Sequence, residues 1–251
     1  MINKNKFLLF LLFWGLVNSV YSQEDNGEIA VQGAEIGRMG EPAAIDPDEF
    51  QFSEAESRLW LDNHLDNINK PVRIYYEFLK GGSYEEGFSD SVYLDILKIN
   101  EDGSKDASLQ FFSADRQQTA KPDNLTNIQG NPVLGIYMQG DVYEMNRLTS
   151  GSWRYFQRQI KLAFSKSATV EPVTFEFNGK EIKGEKISIT PYIHDPHRQQ
   201  FMQFADKRYE FILSHDVPGT LYQIKTVVPD NTAPDKDPLI IETLTFKSAE
   251  T

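Results

Sequence analysis

The 251-residue sequence contains no cysteine. Disulfide bonds, thiol nucleophiles and lipid attachment through an N-terminal cysteine are therefore all excluded. The fold must instead be held together by its hydrophobic core, which a chain of this length can build. Exported eukaryotic proteins of this size commonly carry disulfides, so the absence of cysteine favours a bacterial envelope or secreted protein.

Basic residues are few relative to acidic ones: 25 lysines and arginines face 37 aspartates and glutamates, which gives a net charge of −12. Nucleic acids and anionic membranes are bound through clustered positive charge, so this balance argues against both as general partners. The acid is concentrated in residues 23–50, where eight acidic residues accompany one basic residue, Arg38. Such a segment buries too little apolar surface to offset the entropy lost on ordering, and we expect a flexible acidic leader.

Long hydrophobic runs are also absent. The strongest covers residues 7–17, eleven residues that follow Lys4 and Lys6. A helix of that length cannot span a hydrocarbon core of about 30 Å. Small or neutral residues then lead to Ser22, so residues 1–22 are predicted to be a secretory signal peptide, with a retained anchor as the alternative. We expect an exported protein without a stable membrane span, located in the periplasm or outside the cell.

None of the common catalytic motifs occurs in the sequence. It has no GxSxG nucleophile elbow, no HExxH helix and no glycine-rich phosphate loop. We therefore predict a non-enzymatic protein without a cofactor. The alternative is an acid–base enzyme that pairs His194 or His215 with Asp195 or Asp216, because histidine can exchange protons near neutral pH.

The stretch PYIHDPHR, residues 191–198, contains two of the four histidines. His194 and His197, together with His215, form a candidate metal site because imidazole nitrogens are common zinc and copper ligands. Residues three apart on a strand point to opposite faces, so these side chains could converge only across a turn. The Asp-Pro pair within the stretch favours such a turn and also explains the stretch without a metal. A turn is the preferred interpretation, and the metal site is the alternative.

Alternation of apolar and polar residues predicts about eight β-strands. The clearest places Val72, Ile74 and Tyr76 on one face. Asn-Gly and Asp-Gly pairs between neighbouring segments predict hairpins, and hairpins make a sheet antiparallel. The apolar parity changes between Ile182 and Ile187, which predicts a β-bulge at the intervening glycine. The predicted strands are residues 72–80, 91–100, 107–114, 173–177, 182–189, 207–214, 220–228 and 239–247.

Two segments have apolar residues at helical spacing instead. The first lies within residues 131–151 and begins at an Asn-Pro cap, although two glycines weaken it. The second lies within residues 152–166, so the pair predicts a helical hairpin inserted after the third strand. A capping-box pattern, Ser53 followed by Glu56, predicts a further short helix near the N-terminus.

These elements predict an α+β fold in a single domain over residues 51–251. Its centre is one curved antiparallel sheet of about eight strands, half-barrel-like, with the helices packed on its concave side. The order of elements is similar to that of the half-barrel carriers of lipoproteins and other amphiphiles in bacterial envelopes. No stretch of residues matches a family motif, so no family activity is carried over.

Aromatic residues are abundant, with 17 phenylalanines, 11 tyrosines and 3 tryptophans. A curved sheet can leave its concave side partly unfilled, and Tyr137, Trp153 and Phe156 would then line a site for an apolar or amphipathic ligand. Beside them, Arg154 and Arg158 belong to a basic helix stripe that is either solvated or contacts an anion.

The sequence thus favours an exported, non-enzymatic envelope protein that binds an amphipathic or apolar small molecule or an envelope protein partner. An assembly or scaffold role in an envelope complex is the first alternative. A metal-binding or hydrolytic enzyme that uses the region of His194, His197 and His215 is the second.

Overall fold

The computed structural model describes residues 51–113, 116–119, 124–233 and 235–251. The predicted signal peptide and acidic leader, residues 1–22 and 23–50, lie outside the described residues. The described chain from Ser53 onward, Ser53–Thr251, forms one compact unit. Within the described ranges, no helix combines the length and the apolar character needed to cross a membrane.

The part of the chain that the structure describes contains ten strands in one antiparallel sheet. They are β1 (Val72–Gly81), β2 (Phe88–Ile99), β3 (Lys105–Phe111), β4 (Gln118–Thr119), β5 (Leu125–Ile128), β6 (Thr169–Phe177), β7 (Lys180–Ile189), β8 (Arg208–Leu213), β9 (Leu221–Val228) and β10 (Ile240–Glu250).

Four α-helices accompany the sheet in the described ranges, and two of them are long. They are α1 (Glu54–Glu56), which continues as a π-helical turn (Ser57–Leu61), α2 (Pro132–Thr149), α3 (Trp153–Lys166) and α4 (Arg198–Phe201), which a 3-10 turn (Met202–Asp206) follows.

The helix ends follow the capping signals in the sequence. Ser53 and Glu56 form a reciprocal capping box at the start of α1. Asn131 caps α2 by accepting a hydrogen bond from the backbone N–H of Val133 at 3.1 Å. Ser150 ends α2 in the left-handed conformation, with φ of 56°, and the turn at Ser150 lets α3 fold back beside α2.

The sheet consists of two meanders that meet where β1 pairs with β10. The strand order is β4-β3-β2-β1-β10-β9-β8-β7-β6, and β5 also pairs with the outer side of β3. The chain leaves the sheet at β5 on one edge and re-enters at β6 on the opposite edge. The helical hairpin α2–α3 makes this crossing, so it passes over the whole width of the sheet.

The predicted fold class is confirmed: one curved antiparallel sheet with a helical hairpin in an α+β fold. The structure has ten strands rather than about eight, and the short strands β4 and β5 precede the hairpin. These two strands have two and four residues, too few to produce a periodic pattern in the sequence.

Helices α2 and α3 pack on one face of the sheet, which we call the inner face. The ring of Phe78 on β1 lies 6.5 Å from that of Tyr137 on α2, and the ring of Phe211 on β8 lies 5.7 Å from that of Phe164 on α3. All four side chains are buried. The inner face is therefore filled by the helices, and its aromatic side chains form the core.

The tip of the β6–β7 hairpin, residues 172–184, extends beyond β8 and is called the β-arm below. Only residues Glu185 to Ile189 of β7 pair with β8. Phe175 of the β-arm stacks on Tyr222 of β9 with ring centroids 4.2 Å apart, although two strands lie between β6 and β9 in the sheet. The β-arm therefore curls over one end of the sheet.

The predicted β-bulge at Gly184 is wrong, because β6 and β7 pair without a register shift from Thr169 to Phe177. The apolar parity changes because the two halves of β7 pack against different neighbours. Ile187 is buried in the core, whereas Ile182 lies in the β-arm beside Phe175. Gly184 is needed for a different reason: a Cβ there would lie 2.5 Å from the carbonyl oxygen of Leu213.

Charged side chains are buried between α2 and the sheet. The Asp141 carboxylate of α2 accepts hydrogen bonds from the Lys207 ammonium and, at 2.7 Å, from the Tyr209 hydroxyl. Desolvation raises the pKa of Asp141. Burial opposes the charge on Lys207, but the attraction of Asp141 and Glu242 outweighs it and raises the pKa of Lys207. This pair links α2 to the residue just before β8, and removal of either partner alone would leave the other charge buried without its counter-ion.

We expect Lys207→Met to lower the free energy of unfolding by about 3–5 kcal/mol, because it leaves the Asp141 charge buried without its cation. The double variant Lys207→Met/Asp141→Asn should recover a large part of that loss, since no charge then remains to be neutralised. Urea unfolding of the parent, both single variants and the double variant measures this coupling. Strictly additive effects in the cycle would contradict it, and Lys98→Met on the surface is the control.

Candidate functional site

An open cleft of about 670 Å³ lies at one end of the sheet. Three parts of the chain surround it: the N-terminal segment of residues 58–66, the β-arm, and the turn between β8 and β9. Apolar atoms of Pro172, Gly184 and Leu213 line it, and charged side chains complete its lining. The charged residues are Arg58, Asp62, Asp66, Lys183, Glu185 and Asp216.

Hydrogen bonds to the β8–β9 turn hold the N-terminal segment in place. The hydroxyl of Thr220 donates to the carbonyl oxygen of His64 at 2.8 Å. The side chain of Asn67 accepts a hydrogen bond from the N–H of Gly219 at 3.0 Å and donates to the carbonyl oxygen of Val217 at 2.7 Å. Two walls of the cleft are therefore joined, although about 150 residues separate them in the sequence.

His64 lines the cleft but is itself buried. Its Nδ1 accepts a hydrogen bond from the backbone N–H of Asn131 at 3.0 Å, so its Nε2 carries the proton and donates to the carbonyl oxygen of Arg58 at 2.6 Å. Desolvation lowers the pKa of His64. The imidazole is thus a neutral structural link with both nitrogens in use.

Asn131 connects this end of the molecule to the core. Besides capping α2, its side-chain amide donates to the Tyr76 hydroxyl and to the Gly219 carbonyl oxygen, each at 2.9 Å. Burial raises the pKa of Tyr76 above its usual range, so the hydroxyl keeps its proton. Through Asn131, the start of α2, the inner face of β1 and the β8–β9 turn share one buried network.

Arg58 carries most of the ion pairing at the rim. Its guanidinium lies 2.9 Å from the Glu185 carboxylate and 3.3 Å from that of Asp62. Asp66 and His215 also approach each other, at 3.6 Å, but more than half of each side chain is exposed and water screens the pair. The described lining residues thus leave Asp66 and Asp216 without a lysine or arginine partner.

Asn63 has a buried side-chain carbonyl oxygen that lacks a hydrogen-bond partner among the described residues. Asn63 also lines the cleft. A buried acceptor without a partner costs about 1–3 kcal/mol, so a donor group bound next to it would gain that interaction.

Ser214 stands next to His215 in the cleft, but its hydroxyl has another role. It donates to the carbonyl oxygen of Lys183 at 2.6 Å and accepts from the N–H of Asp216 at 3.3 Å. These bonds fix the β8–β9 turn against β7.

Taken together, the lining residues of the cleft present groups that can hold a ligand by charge, hydrogen bonds and apolar contact.

The histidines predicted as metal ligands lie in two different places. His194 and His197 are exposed in the turns of residues 191–197, and His215 lies at the rim of the cleft. Asp195 organises the first place: its carboxylate accepts from the Tyr155 hydroxyl at 2.7 Å and from the N–H of His197 at 2.7 Å. Among the described residues, no group of three or more histidine and carboxylate side chains is arranged to hold a metal ion.

The five residues predicted to bind a ligand are divided between the core and the surface. Tyr137 and Phe156 are buried. Trp153 is half-buried, while Arg154 and Arg158 are exposed on the outer side of α3. The structure thus does not gather them in one pocket, and their role in binding stays a prediction.

Sequence reasoning missed the cleft because its walls come from three distant segments. His64, the fourth histidine, lies in the stretch LDNHLDN, whose aspartates and asparagines are the one local signal of an unusual segment. That signal does not show which parts of the chain it will face.

Comparisons with known proteins give little similarity. No protein-family model matches the chain, and a search of curated proteins found no match either. A search of solved structures found a LolA superfamily protein from Nitrosomonas europaea, 8% identical, with 78% of this chain and 92% of that chain covered and a TM-score of 0.20. At that score the similarity carries no argument about this chain.

We expect the protein to lose stability as the pH falls through about 6.5, in part because His64 resists protonation when folded. Its pKa is lowered from 6.5 in the folded state, whereas the unfolded chain accepts the proton freely. The stabilisation is therefore complete above pH 6.5 and is lost below it, by at most about 1.4 kcal/mol per pH unit.

Urea unfolding at about pH 7.5 and about pH 5.5 tests this origin of the pH dependence. His64→Gln should be less stable than the parent at the higher pH but should lose less stability on acidification. His194→Gln, a change at an exposed histidine, should keep the parental pH dependence. Equal losses in the parent and His64→Gln would show that His64 does not cause the effect.

Proposed function

We propose that the protein is an exported, non-enzymatic binding protein of the bacterial envelope, located in the periplasm, and that its ligand is a small amphipathic molecule held in the cleft. The export part of the proposal is supported by the signal-peptide pattern of residues 1–22. The binding part is supported by the composition of the cleft.

The observation that carries the proposal is the combination of apolar and charged surfaces in one cavity. A volume of about 670 Å³ lies within the range that small-molecule sites commonly have. Pro172 and Leu213 offer apolar contact for a hydrocarbon segment, while the charged rim faces solvent and would meet a polar headgroup. An entirely polar solute would leave the apolar part of the cleft exposed to water.

The rim also favours one kind of headgroup. Arg58 already lies against Glu185 and Asp62, so the acids that remain available are Asp66 and Asp216. The buried carbonyl oxygen of Asn63 adds an acceptor without a partner among the described residues. Lys183 is the one lining cation for which no ion pair is present among the described residues, so acceptors outnumber it and favour a headgroup that donates hydrogen bonds and is neutral or positively charged, such as an amine.

The packing of the helices supports the proposal that the ligand binds at the end of the sheet. A carrier that used the whole concave side would need α2 and α3 to leave it, yet Tyr137 and Phe156 are buried there among other core side chains. Opening that face would break the buried bonds of Asp141 with Lys207 and Tyr209. The cleft offers space without any such rearrangement.

Native mass spectrometry of the protein purified after export tests for a copurified ligand. Calorimetric titration with dodecylamine, and with dodecanoate as a probe of equal chain length and opposite charge, tests the headgroup preference. We expect dodecylamine to bind about tenfold more tightly, equivalent to about 1.4 kcal/mol. Pro172→Trp, which places a large side chain at the exposed edge of the cleft, should weaken binding by a similar factor.

Thr174→Trp is the matched control, since Thr174 is an exposed β-arm residue that does not line the cleft. It should bind dodecylamine as the parent does. Equal loss in both tryptophan variants, or a protein that binds neither probe and carries no copurified molecule, would refute the cleft as a ligand site. An empty protein that isolates together with a defined envelope complex would favour the assembly or scaffold role instead.

A further inference from the structure

Helix α3 has a charge opposite to that of the rest of the protein. Its sequence, WRYFQRQIKLAFSK, contains four basic residues and no acidic one, in a chain whose net charge is −12. A surface helix of an acidic protein would ordinarily mix both signs, because opposite charges four residues apart stabilise a helix. The composition of α3 therefore needs a reason outside the helix itself.

The outward residues of α3 form one continuous stripe. Arg154, Arg158, Leu162 and Lys166 follow one another at intervals of four, and all four are exposed. Leu162 is 40% exposed and lies between the cations of the stripe. The opposite side of the helix is buried against the sheet. We call these four residues the α3 stripe.

The arginines of the α3 stripe are held by aromatic rings. The guanidinium of Arg154 lies 4.4 Å from the ring centre of Trp153, and that of Arg158 lies 5.3 Å from that of Tyr155. By contrast, Arg58, Arg73, Arg147 and Arg198 are each paired with carboxylates.

Two acidic residues close to α3 are already engaged. Asp195 is buried and accepts the hydrogen bonds of Tyr155. Glu54, close to the C-terminal end of α3, lies 3.9 Å from the guanidinium of Arg58. Within the described ranges, none of the cations of the α3 stripe forms an ion pair, so its positive charge is available to an external partner.

Apolar and aromatic groups beside the cations indicate what that partner is. Trp153 is half-buried, and its ring contacts that of Tyr143, which is 42% exposed, at 6.1 Å. Together with Leu162, these side chains add an apolar border to a cationic stripe. Helices that lie on phospholipid surfaces combine arginine and lysine with tryptophan and leucine in this way. A soluble polyanion would need the cations alone.

We propose that the α3 stripe docks the protein on an anionic phospholipid leaflet. The cations lie against lipid phosphates, and Leu162 and Trp153 enter the interface between headgroups and acyl chains. The overall negative charge is compatible with this contact, because charges more than about 8 Å from the surface are largely screened at physiological ionic strength. Docking goes beyond ligand binding in the cleft, and it would bring the cleft to a membrane that contains amphiphiles.

Flotation with vesicles of phosphatidylcholine and phosphatidylglycerol at 3:1 tests the proposal on the purified, exported protein, with pure phosphatidylcholine vesicles as the reference. We expect binding to the anionic vesicles at a physiological ionic strength of about 0.15 M, and at least about tenfold weaker binding to the neutral ones. The variant Arg154→Gln/Arg158→Gln/Lys166→Gln should lose at least about tenfold in affinity for anionic vesicles. Leu162→Gln, which leaves the charge unchanged, should lose about threefold or more.

The matched control removes the same charge elsewhere, in Lys98→Gln/Lys180→Gln/Lys236→Gln, whose three lysines are exposed. It should bind anionic vesicles within about twofold of the parent. A Trp60→Phe variant leaves Trp153 as the single described tryptophan, and its emission should shift to the blue with anionic vesicles only.

Three results would overturn the proposal. One is the absence of binding to anionic vesicles, and another is an equal loss in the two triple-glutamine variants. The third is binding of heparin, as a soluble polyanion, with no effect of Leu162→Gln on vesicle affinity. That result would assign the α3 stripe to an acidic polymer rather than to a membrane. Because dodecylamine binding in the cleft does not involve α3, each proposal can fail without the other.

Discussion

The pairing of β1 with β10 is the contact on which the rest of the structure depends. It joins the first and last strands of the described chain and turns two separate meanders into one sheet. Neither the four-stranded nor the five-stranded meander alone could bury both long helices, but the combined sheet offers one continuous inner face. The helical hairpin must cross this face because β5 and β6 lie at opposite edges. The curvature of the sheet, the core beneath the helices and the cleft at its end all depend on the pairing of β1 with β10.

The buried polar groups fix the position of α2 on the inner face of the sheet. Asp141 on α2 contacts Lys207 and Tyr209, and Asn131 at the start of the same helix contacts Tyr76 and the β8–β9 turn. Apolar packing tolerates small shifts of a helix along a sheet, whereas a buried hydrogen-bonded charge does not. The start and the middle of α2 are thus fixed, and the hydrogen bonds of Asn131 and His64 extend this network to the cleft.

The protein separates two surfaces with different chemistry. The cleft is formed by the β-arm, the β8–β9 turn and the N-terminal segment, and its available charges are mostly acidic. The α3 stripe is cationic and has an apolar border. An acidic protein with one basic helix would turn that helix toward an anionic surface, so the proposed docking depends both on the cations of the α3 stripe and on their orientation.

Periodicity in the sequence was sufficient for the long elements. The alternation of Ile74, Tyr76 and Phe78 and the helical spacing of Phe156, Ile160 and Phe164 each place one face inward, because burial of apolar area dominates such segments. Capping residues such as Ser53 and Asn131 also marked the helix starts correctly, since an unpaired N–H at a helix end needs an acceptor from the chain beside it.

Contacts between distant segments were beyond that reasoning. The change in the apolar alternation around Gly184 was visible in the sequence. Only the folded β-arm shows its cause, because Phe175 stacks on Tyr222 and the strand has no bulge. In the same way, Tyr137 and Phe156 were recognisable as inward residues, yet whether they line a cavity or fill the core depends on how closely the helices approach the sheet.

The sequence by itself thus determined what depends on composition and on local pattern. It showed that the chain has no disulfide, that it is acidic, that its fold is antiparallel α+β and that α3 is basic. Only the tertiary structure decided that His64 is a buried neutral link, that His194 and His215 lie apart, and that Asn63 meets the β-arm across a cleft. The physical reason is the distance along the sequence over which each interaction acts. Periodicity and capping act over a few residues, whereas a site formed by segments 100 residues apart depends on chain closure and packing.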